Sequence, residues 1–153
     1  MAEIIAGIVV SSSEVQFVLM RFQADQFTLM SQDSIKAPAG NRAQAYRVVH
    51  EQLKDLLIHS RVECACIKAS AVSMGGTKMV HLEAAELRGV ALAAAAAVCD
   101  VRLVSKAATS RTFGNRGVDD YLRDNKFWTG HGLDAIKKGA REAAFTAISQ
   151  FAS

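Results

Sequence analysis

The hydrophobic pattern at the start of the chain predicts three short strands. Ile4–Val10 is a continuous apolar run that ends at the polar Ser11–Ser13, as expected for a buried strand followed by a turn. Val15–Phe22 and Gln26–Met30 are further strand candidates, and the polar segment Gln23–Asp25 separates them. Short strands joined by tight polar turns predict an antiparallel meander.

The pattern then changes to a helical period. Arg42–Ser60 has one apolar face, made by Tyr46, Val49, Leu53, Leu56 and Leu57. Asn41 before it is a suitable N-cap. Val62–Ala69 follows as a strand, and the order strand, helix, strand predicts a parallel crossover onto the sheet.

The second half alternates helices with one more strand. Met79–Val98 is predicted to be a helix with Leu82, Leu87, Val90 and Ala91 on one face, and its alanines permit close contact with a neighbouring helix or with a second copy of the chain. The remaining predicted elements are a strand at Val101–Val104, a further element at Lys106–Thr112, a short helix at Gly117–Asn125, a turn at Trp128–Gly132 and a final helix at Leu133–Phe151.

The length and composition favour one domain over residues 1–153 and a cytoplasmic protein. The longest apolar run, Val90–Val98, is too short to span a membrane, and the N-terminus does not resemble a secretion signal. The three cysteines, Cys64, Cys66 and Cys99, are expected to be buried reduced thiols. Neither they nor the histidines show the spacing of a metal site, so no metal or other cofactor is predicted.

The positive charge is concentrated in one part of the chain. Residues 101–141 hold nine basic and four acidic side chains, a balance of +5, whereas the whole chain carries +3. Such a segment suggests a polyanionic partner, DNA or RNA, although a solvated surface explains it as well.

The order of elements resembles the ribonuclease-H-like superfamily, and three segments resemble RuvC-type Holliday-junction resolvases within it. These are Arg88–Ala94, Asp100–Val104 with Ala107–Gly114, and Glu142–Ile148. A small bacterial family of the superfamily also has a lysine after the isoleucine of the central strand, as Lys68 follows Ile67 here. The resemblance implies an α/β fold with a mixed five-stranded sheet, an antiparallel meander plus parallel strands, helices on both faces, and a homodimer.

The resemblance also exposes missing acids. Resolvases of this type bind metal through an aspartate on the first strand, a glutamate on the central strand and two acids near the start of the last helix. The matching positions here are Val9, Lys68, Gly139 and Glu142, of which Glu142 alone keeps a carboxylate. Asp134, one or two turns earlier on the predicted helix, would bring the number of acids to two at most. Because two-metal nucleases need a cluster of carboxylates, no catalytic residue is predicted.

One carboxylate beside one ammonium suggests a replacement for the metal. We expect Lys68 to fill the metal's space and to pair with Glu142, since a buried carboxylate must be paired or neutralised. The alternative is that Lys68 extends to solvent at the strand end.

Contacts to nucleic acid are expected from five cationic side chains. Lys78 is the last residue of the glycine loop Met74–Lys78. Backbone amides at the start of a helix can bind an anion, but a tight turn before the helix also explains the glycines. The set is Lys78, Arg88, Lys106, Arg111 and Arg116. Phe113 and Trp128 are treated as structural residues.

The sequence therefore predicts a catalytically inactive ribonuclease-H-like domain that acts by binding, to structured nucleic acid or to another protein. A protein-interaction module that does not bind nucleic acid is one alternative. A metal-dependent nuclease with a remodelled site is the other.

Overall fold

The structure, a computed structural model, describes residues 2–70, 78–114 and 116–152. Its strands in this part of the chain are β1 (Glu3–Val10), β2 (Glu14–Gln23), β3 (Gln26–Lys36), β4 (Cys64–Lys68) and β5 (Asp100–Val104). They form one sheet in the order β3-β2-β1-β4-β5, with β1–β2 and β2–β3 antiparallel and β1–β4 and β4–β5 parallel. The predicted mixed sheet is thus confirmed.

Helices cover both faces of this sheet. They are α1 (Arg42–His59), α2 (Met79–Ala96), α3 (Lys106–Ser110), α4 (Val118–Arg123), α5 (Asn125–Gly130) and α6 (Arg141–Phe151), with a 3₁₀ turn at Lys138–Ala140. Side chains of α1 and α2 share a core with one face, and those of α4, α5 and α6 share a core with the other. The predicted N-cap at Asn41 is confirmed, since its side chain accepts a hydrogen bond from the Gln44 amide at 3.1 Å.

Strand alternation assigns each residue of β1 to one of the two cores. Ala6 and Ile8 face α1 and α2, whereas Ile5 belongs to the core under α6. β1 therefore reads as a continuous apolar run, because both of its faces are covered.

The meander is longer than its apolar residues predict. β3 continues beyond Met30 to Lys36, through the polar segment Ser31–Ser34. Because β3 lies at the edge of the sheet, polar side chains are tolerated there. Leu29 pairs with Met20 and Ser31 with Leu19, which leaves Met30 as the extra residue of a bulge.

Two predictions about the C-terminal third are wrong. Trp128 lies within α5 instead of a turn, and the last helix begins at Arg141 instead of Leu133. The Gln32 side chain of β3 donates to Ala135 O at 3.0 Å and accepts from Lys137 N at 2.9 Å. These bonds hold the segment before the helix in a non-helical conformation.

The alanine-rich face of α2 is used inside the chain. Ala91, Ala94 and Ala95 are buried, and Leu87 packs with them as predicted. Leu82 was predicted on the same face, but 49% of it is exposed. The buried alanines are thus not a free surface for a second copy, whereas Ala93 and Ala96 of the same helix are exposed. Over residues 2–70, 78–114 and 116–152, none of the helices has the length and apolar character needed to cross a membrane.

Candidate functional site

Val9 and Lys68 lie side by side at the carboxyl ends of two parallel strands. The register pairs Gly7 with Cys66 and Ile8 with Ile67, so the next step along both strands brings Val9 beside Lys68. Since side chains alternate along a strand, both residues are on the face of the sheet that α6 covers. Val9 is half-buried and packs against the core under α6.

Gly7 sets how closely α6 approaches this pair. A Cβ atom at Gly7 would lie 1.8 Å from the carbonyl oxygen of Ala143 and 3.2 Å from the Cβ of Ala147. No larger residue fits between β1 and the first turns of α6. Glu142 precedes Ala143, so this close packing fixes the backbone that carries the carboxylate.

Lys68 and Glu142 form an ion pair. Lys68 Nζ donates to Glu142 Oε2 at 2.9 Å, and the two side chains are 32% and 34% exposed. The expected pairing is confirmed, and the alternative that Lys68 extends freely to solvent is wrong. The lysine neutralises the carboxylate through a short charge-assisted hydrogen bond.

The space beside the ion pair is nearly filled. A cavity of about 10 Å³ remains, room for about one water molecule. Its walls combine the two charged residues with apolar, hydroxyl and cationic side chains: Lys68, Val104, Lys106, Thr109, Val118, Glu142, Phe145 and Thr146. The cavity itself is therefore too small for a hydrated cation, while both charged side chains remain about one-third exposed to solvent.

Gly139 also lies near Val9. It is exposed in the 3₁₀ turn, and a Cβ atom there would be 3.8 Å from Nε2 of Gln16, the β2 residue that pairs with Val9. The four positions that the resemblance assigns to metal-binding acids thus lie close together, at the end of the sheet where β1 and β4 finish. Asp134 is exposed and precedes the helix, so the helical spacing from which its approach was predicted is wrong.

These residues do not fit a two-metal centre. The gathered positions offer one carboxylate, and the ammonium of Lys68 already pairs with it. Nowhere in residues 2–70, 78–114 and 116–152 do three or more His, Cys, Asp or Glu side chains form a group that would hold a metal ion. Mg²⁺ requires oxygen ligands, which valine, lysine and glycine side chains do not supply.

Two of the predicted nucleic-acid contacts lie at the same end of the sheet. Lys106 follows β5, lines the small cavity with Lys68, and is 3.8 Å from Asp119 in an exposed ion pair. Arg88 of α2 donates to the hydroxyl of Ser70 and to Val10 O at 3.4 Å. Partial burial lowers the pKa of Arg88. Arg88 therefore joins the ends of β1 and β4, and Lys106 is the more accessible cation.

The other predicted contacts are dispersed. Arg116 bonds Asp124 at 2.9 Å and stacks over the ring of Tyr121 at 4.6 Å, so it stabilises α4 and α5. Arg111 is exposed at the end of α3. Lys78 occupies the N-cap position of α2, where its backbone N–H donates to His81 Nδ1 at 3.3 Å, and the rest of its loop, 74–77, lies outside the described residues.

Arg141 is a residue whose role the sequence did not predict. It is 6% exposed, and it donates to Leu122 O and to Asn125 Oδ1, both at 2.9 Å. Its guanidinium also lies 5.6 Å from the ring centre of Trp128. It thereby attaches α4 and α5 to the first turn of α6, next to Glu142. In sequence it is one basic residue among nine, and nothing local marks it as buried.

The expected burial of Cys64, Cys66 and Trp128 is confirmed, whereas Cys99 is only half-buried. Cys64 and Cys66 are free thiols buried under α6. Hydrogen bonding with Cys64 and burial raise the pKa of the Cys66 thiol, so it stays protonated at neutral pH. Trp128 is fully buried, and its Nε1 donates to Tyr121 O at 3.0 Å.

Comparison with known proteins identifies the fold. No family model and no curated protein matches the sequence. RuvC of Thermus thermophilus superposes with a TM-score of 0.76, and its complex with Holliday junction substrate with 0.72, each at 14% identity over 97% of this chain and 92% of that one. The yeast mitochondrial Holliday junction resolvase Ydc2 gives 0.63 at 10% identity, over 96% of this chain and 76% of its own. The chain therefore has the ribonuclease-H-like fold of RuvC-type resolvases.

Proposed function

We propose that this chain is a ribonuclease-H-like domain that lacks two-metal nuclease chemistry and acts by binding structured nucleic acid. The observation that carries the first half is the 2.9 Å ion pair between Lys68 and Glu142. It puts a fixed positive charge among the positions where resolvase-like nucleases require acids. An ammonium there repels a divalent cation and occupies the one available carboxylate.

Support for nucleic-acid binding comes from the surface beside that pair. Residues 101–141 carry an excess of positive charge, and Lys106 stands next to Lys68 at the sheet edge. A groove of about 290 Å³ continues from Gly139 across β2 and β3, and Gln16, Ser34 and Lys137 line it together with one acidic residue, Asp33. Cations with amides and hydroxyls are the groups that contact phosphate and sugar.

A four-way DNA junction is the first ligand to test, because a structural neighbour with this fold is seen with a Holliday junction substrate. We expect junction binding to weaken steeply as salt rises, since phosphates neutralised by lysine and arginine release counterions. Lys106→Ala and Lys137→Ala should each weaken binding and reduce the salt slope by about one. Lys54→Ala, on α1 at the other face of the sheet, is the matched control.

The nuclease half has a separate readout. Labelled junction incubated with the protein and Mg²⁺ or Mn²⁺ should remain intact. Cleavage that disappears in Glu142→Gln would instead establish a nuclease with a remodelled site. Absence of junction and duplex binding at low salt would favour a protein-interaction module.

We also expect a homodimer, which the resemblance to RuvC-type resolvases implies. Sedimentation of the free protein over a range of concentrations measures this directly. A species of 16.4 kDa at all concentrations would show a monomer.

A further inference from the structure

A second cleft lies at the far end of α6, away from the Lys68–Glu142 pair. Glu142 is in the first turn of this helix and Phe151 is its last residue, so about 14 Å separates them along the axis. The cleft measures about 760 Å³, within the range typical of small-molecule sites. Nothing in the proposed function uses it.

Aromatic rings are concentrated around this cleft. Four of the seven phenylalanines of the chain line it, and all four are half-buried: Phe22, Phe27, Phe113 and Phe151. Exposing apolar rings to water is unfavourable. A cluster of such rings around an open volume favours a ligand that covers them.

The rings that line the cleft lie in two groups. In one group, the ring centres of Phe22 and Phe27 are 4.7 Å apart and those of Phe22 and Phe151 are 5.7 Å apart. In the other group, the rings of Phe113 and His131 are 5.9 Å apart and meet edge to face. A flat ring that enters the cleft therefore meets aromatic side chains from both groups, and stacking on an aromatic ring is favourable.

The polar groups of the cleft are mainly hydrogen-bond acceptors. His131 Nδ1 lies 2.8 Å from Phe127 O, and because a carbonyl only accepts, this nitrogen carries the proton. In the tautomer with the proton on Nδ1, Nε2 is an acceptor, and the carboxylate of Asp25, which also lines the cleft, is a second acceptor group. Gln26 and Thr28 both donate and accept. Within the described part of the chain, no lysine or arginine lines the cleft.

We propose that this cleft binds a nucleobase. A base offers a flat face to the aromatic side chains and N–H donors to His131 and Asp25, and it needs no cation for a phosphate. The base can belong to a free nucleoside or to an unpaired position in a nucleic-acid strand. The inference is independent of the proposed function, because the two sites lie at opposite ends of α6 and share no residue.

The test is amide NMR of the full chain, with adenosine, guanosine and cytidine as probes and ribose 5-phosphate as the control without a base. We expect the amides of Gly130, His131 and Gly132 to shift with at least one nucleoside and not with ribose 5-phosphate. A short single-stranded oligoadenylate then identifies the source of the base. A response to adenosine points to free nucleosides, whereas a response to the oligonucleotide alone points to a strand.

Two variants test the assigned groups. Phe27→Leu keeps the apolar volume but removes a stacking face, and it should weaken binding about tenfold. Asp25→Asn removes the carboxylate at an exposed turn whose left-handed backbone asparagine tolerates, so it keeps the fold even if Phe27→Leu does not. Asp134→Asn is the matched control and should bind like the wild type. Unchanged affinity in Asp25→Asn together with Phe27→Leu, or no response to any base-containing probe at millimolar concentration, would overturn the proposal.

Discussion

Gly7 of β1 lies directly beneath the backbone of Ala143 in α6. A Cβ atom at this glycine would be 1.8 Å from the Ala143 carbonyl oxygen and 2.7 Å from its carbonyl carbon. Both atoms belong to the main chain, so the helix itself must move to admit a methyl group. The position of Glu142, and with it the ion pair to Lys68, therefore depends on a residue that has no side chain.

Gly7→Ala should destabilise the fold by about 3 kcal/mol or more, because overpacking a tight core shifts backbone. Gly89→Ala is the matched control. Like Gly7, Gly89 lies inside a regular element, the helix α2. A Cβ atom added at Gly89 would have no other atom within 4 Å. There the change should stabilise by about 0.5–1 kcal/mol by restricting the unfolded chain. Urea denaturation of both variants measures the difference, and equal effects would contradict the close packing.

The Lys68–Glu142 pair should show measurable but modest coupling. Both side chains are about one-third exposed, so solvent screens the pair, and a double-mutant cycle of Lys68→Met and Glu142→Gln should give about 1 kcal/mol. Lys126→Met, at an exposed lysine of α5, should change stability by less than about 0.5 kcal/mol. A coupling energy of zero would mean that the two groups do not interact in solution.

Restoring acids should restore metal binding if the site is a nuclease centre without its ligands. Val9→Asp combined with Lys68→Glu would place two new carboxylates beside Glu142. We expect the double variant to be less stable without metal, because like charges repel. Its melting temperature should then rise with Mn²⁺, since a ligand that binds the folded state stabilises it.

That experiment has two controls. One is the wild type, and the other is Lys126→Glu, which adds one acid on α5 instead. Neither should respond to Mn²⁺. If the wild type were stabilised by Mn²⁺ as much as the double variant, the loss of metal chemistry would be disproved.

Acid sensitivity should depend on Asp124. A hydrogen bond from Arg116 and bonds from the Phe127 and Lys126 amides hold the pKa of this carboxyl below its ordinary value. The folded protein therefore binds this proton less readily than the unfolded chain. The stabilisation is present above the unfolded pKa of about 3.9 and is lost as the pH falls through the folded pKa.

Asp124→Asn keeps a good N-cap residue for α5 but removes this titration. Between pH 5 and acidic pH, the urea midpoint of this variant should fall less than that of the wild type. The difference between the two reflects the pH-dependent stabilisation by one carboxyl group. Asp134→Asn, at an exposed carboxylate away from Arg116, should follow the wild type. Parallel pH curves for Asp124→Asn and the wild type would exclude the mechanism.

Local patterns in the sequence predict most of the fold because they determine most of its elements. The apolar run of β1, the N-cap at Asn41 and the helical period of α1 each depend on residues close in sequence, and each is confirmed. The pairing of Lys68 with Glu142 was expected from the resemblance to RuvC-type resolvases, whose acid positions these two residues match, and it is confirmed.

What the sequence could not predict depends on distant contacts. Leu133 and Ile136 have helical spacing, and both are buried, but Gln32 of another strand bonds the backbone of that segment and prevents a helix. Arg141 looks like a surface cation until its partners Leu122 and Asn125 are folded around it. Gly7 gives no local signal, because the helix it admits is 136 residues further along the chain.

The positive charge of Lys68 differs from that of a bound cation in being covalently part of the chain. It cannot be removed by a chelator, exchanged for another ion or diluted as the supply of magnesium falls. Its partner Glu142 therefore keeps a cationic partner whether or not divalent ions are present. The first turn of α6 keeps the same electrostatic surroundings whether or not divalent ions are present, and chelating buffers should leave its amide spectrum unchanged.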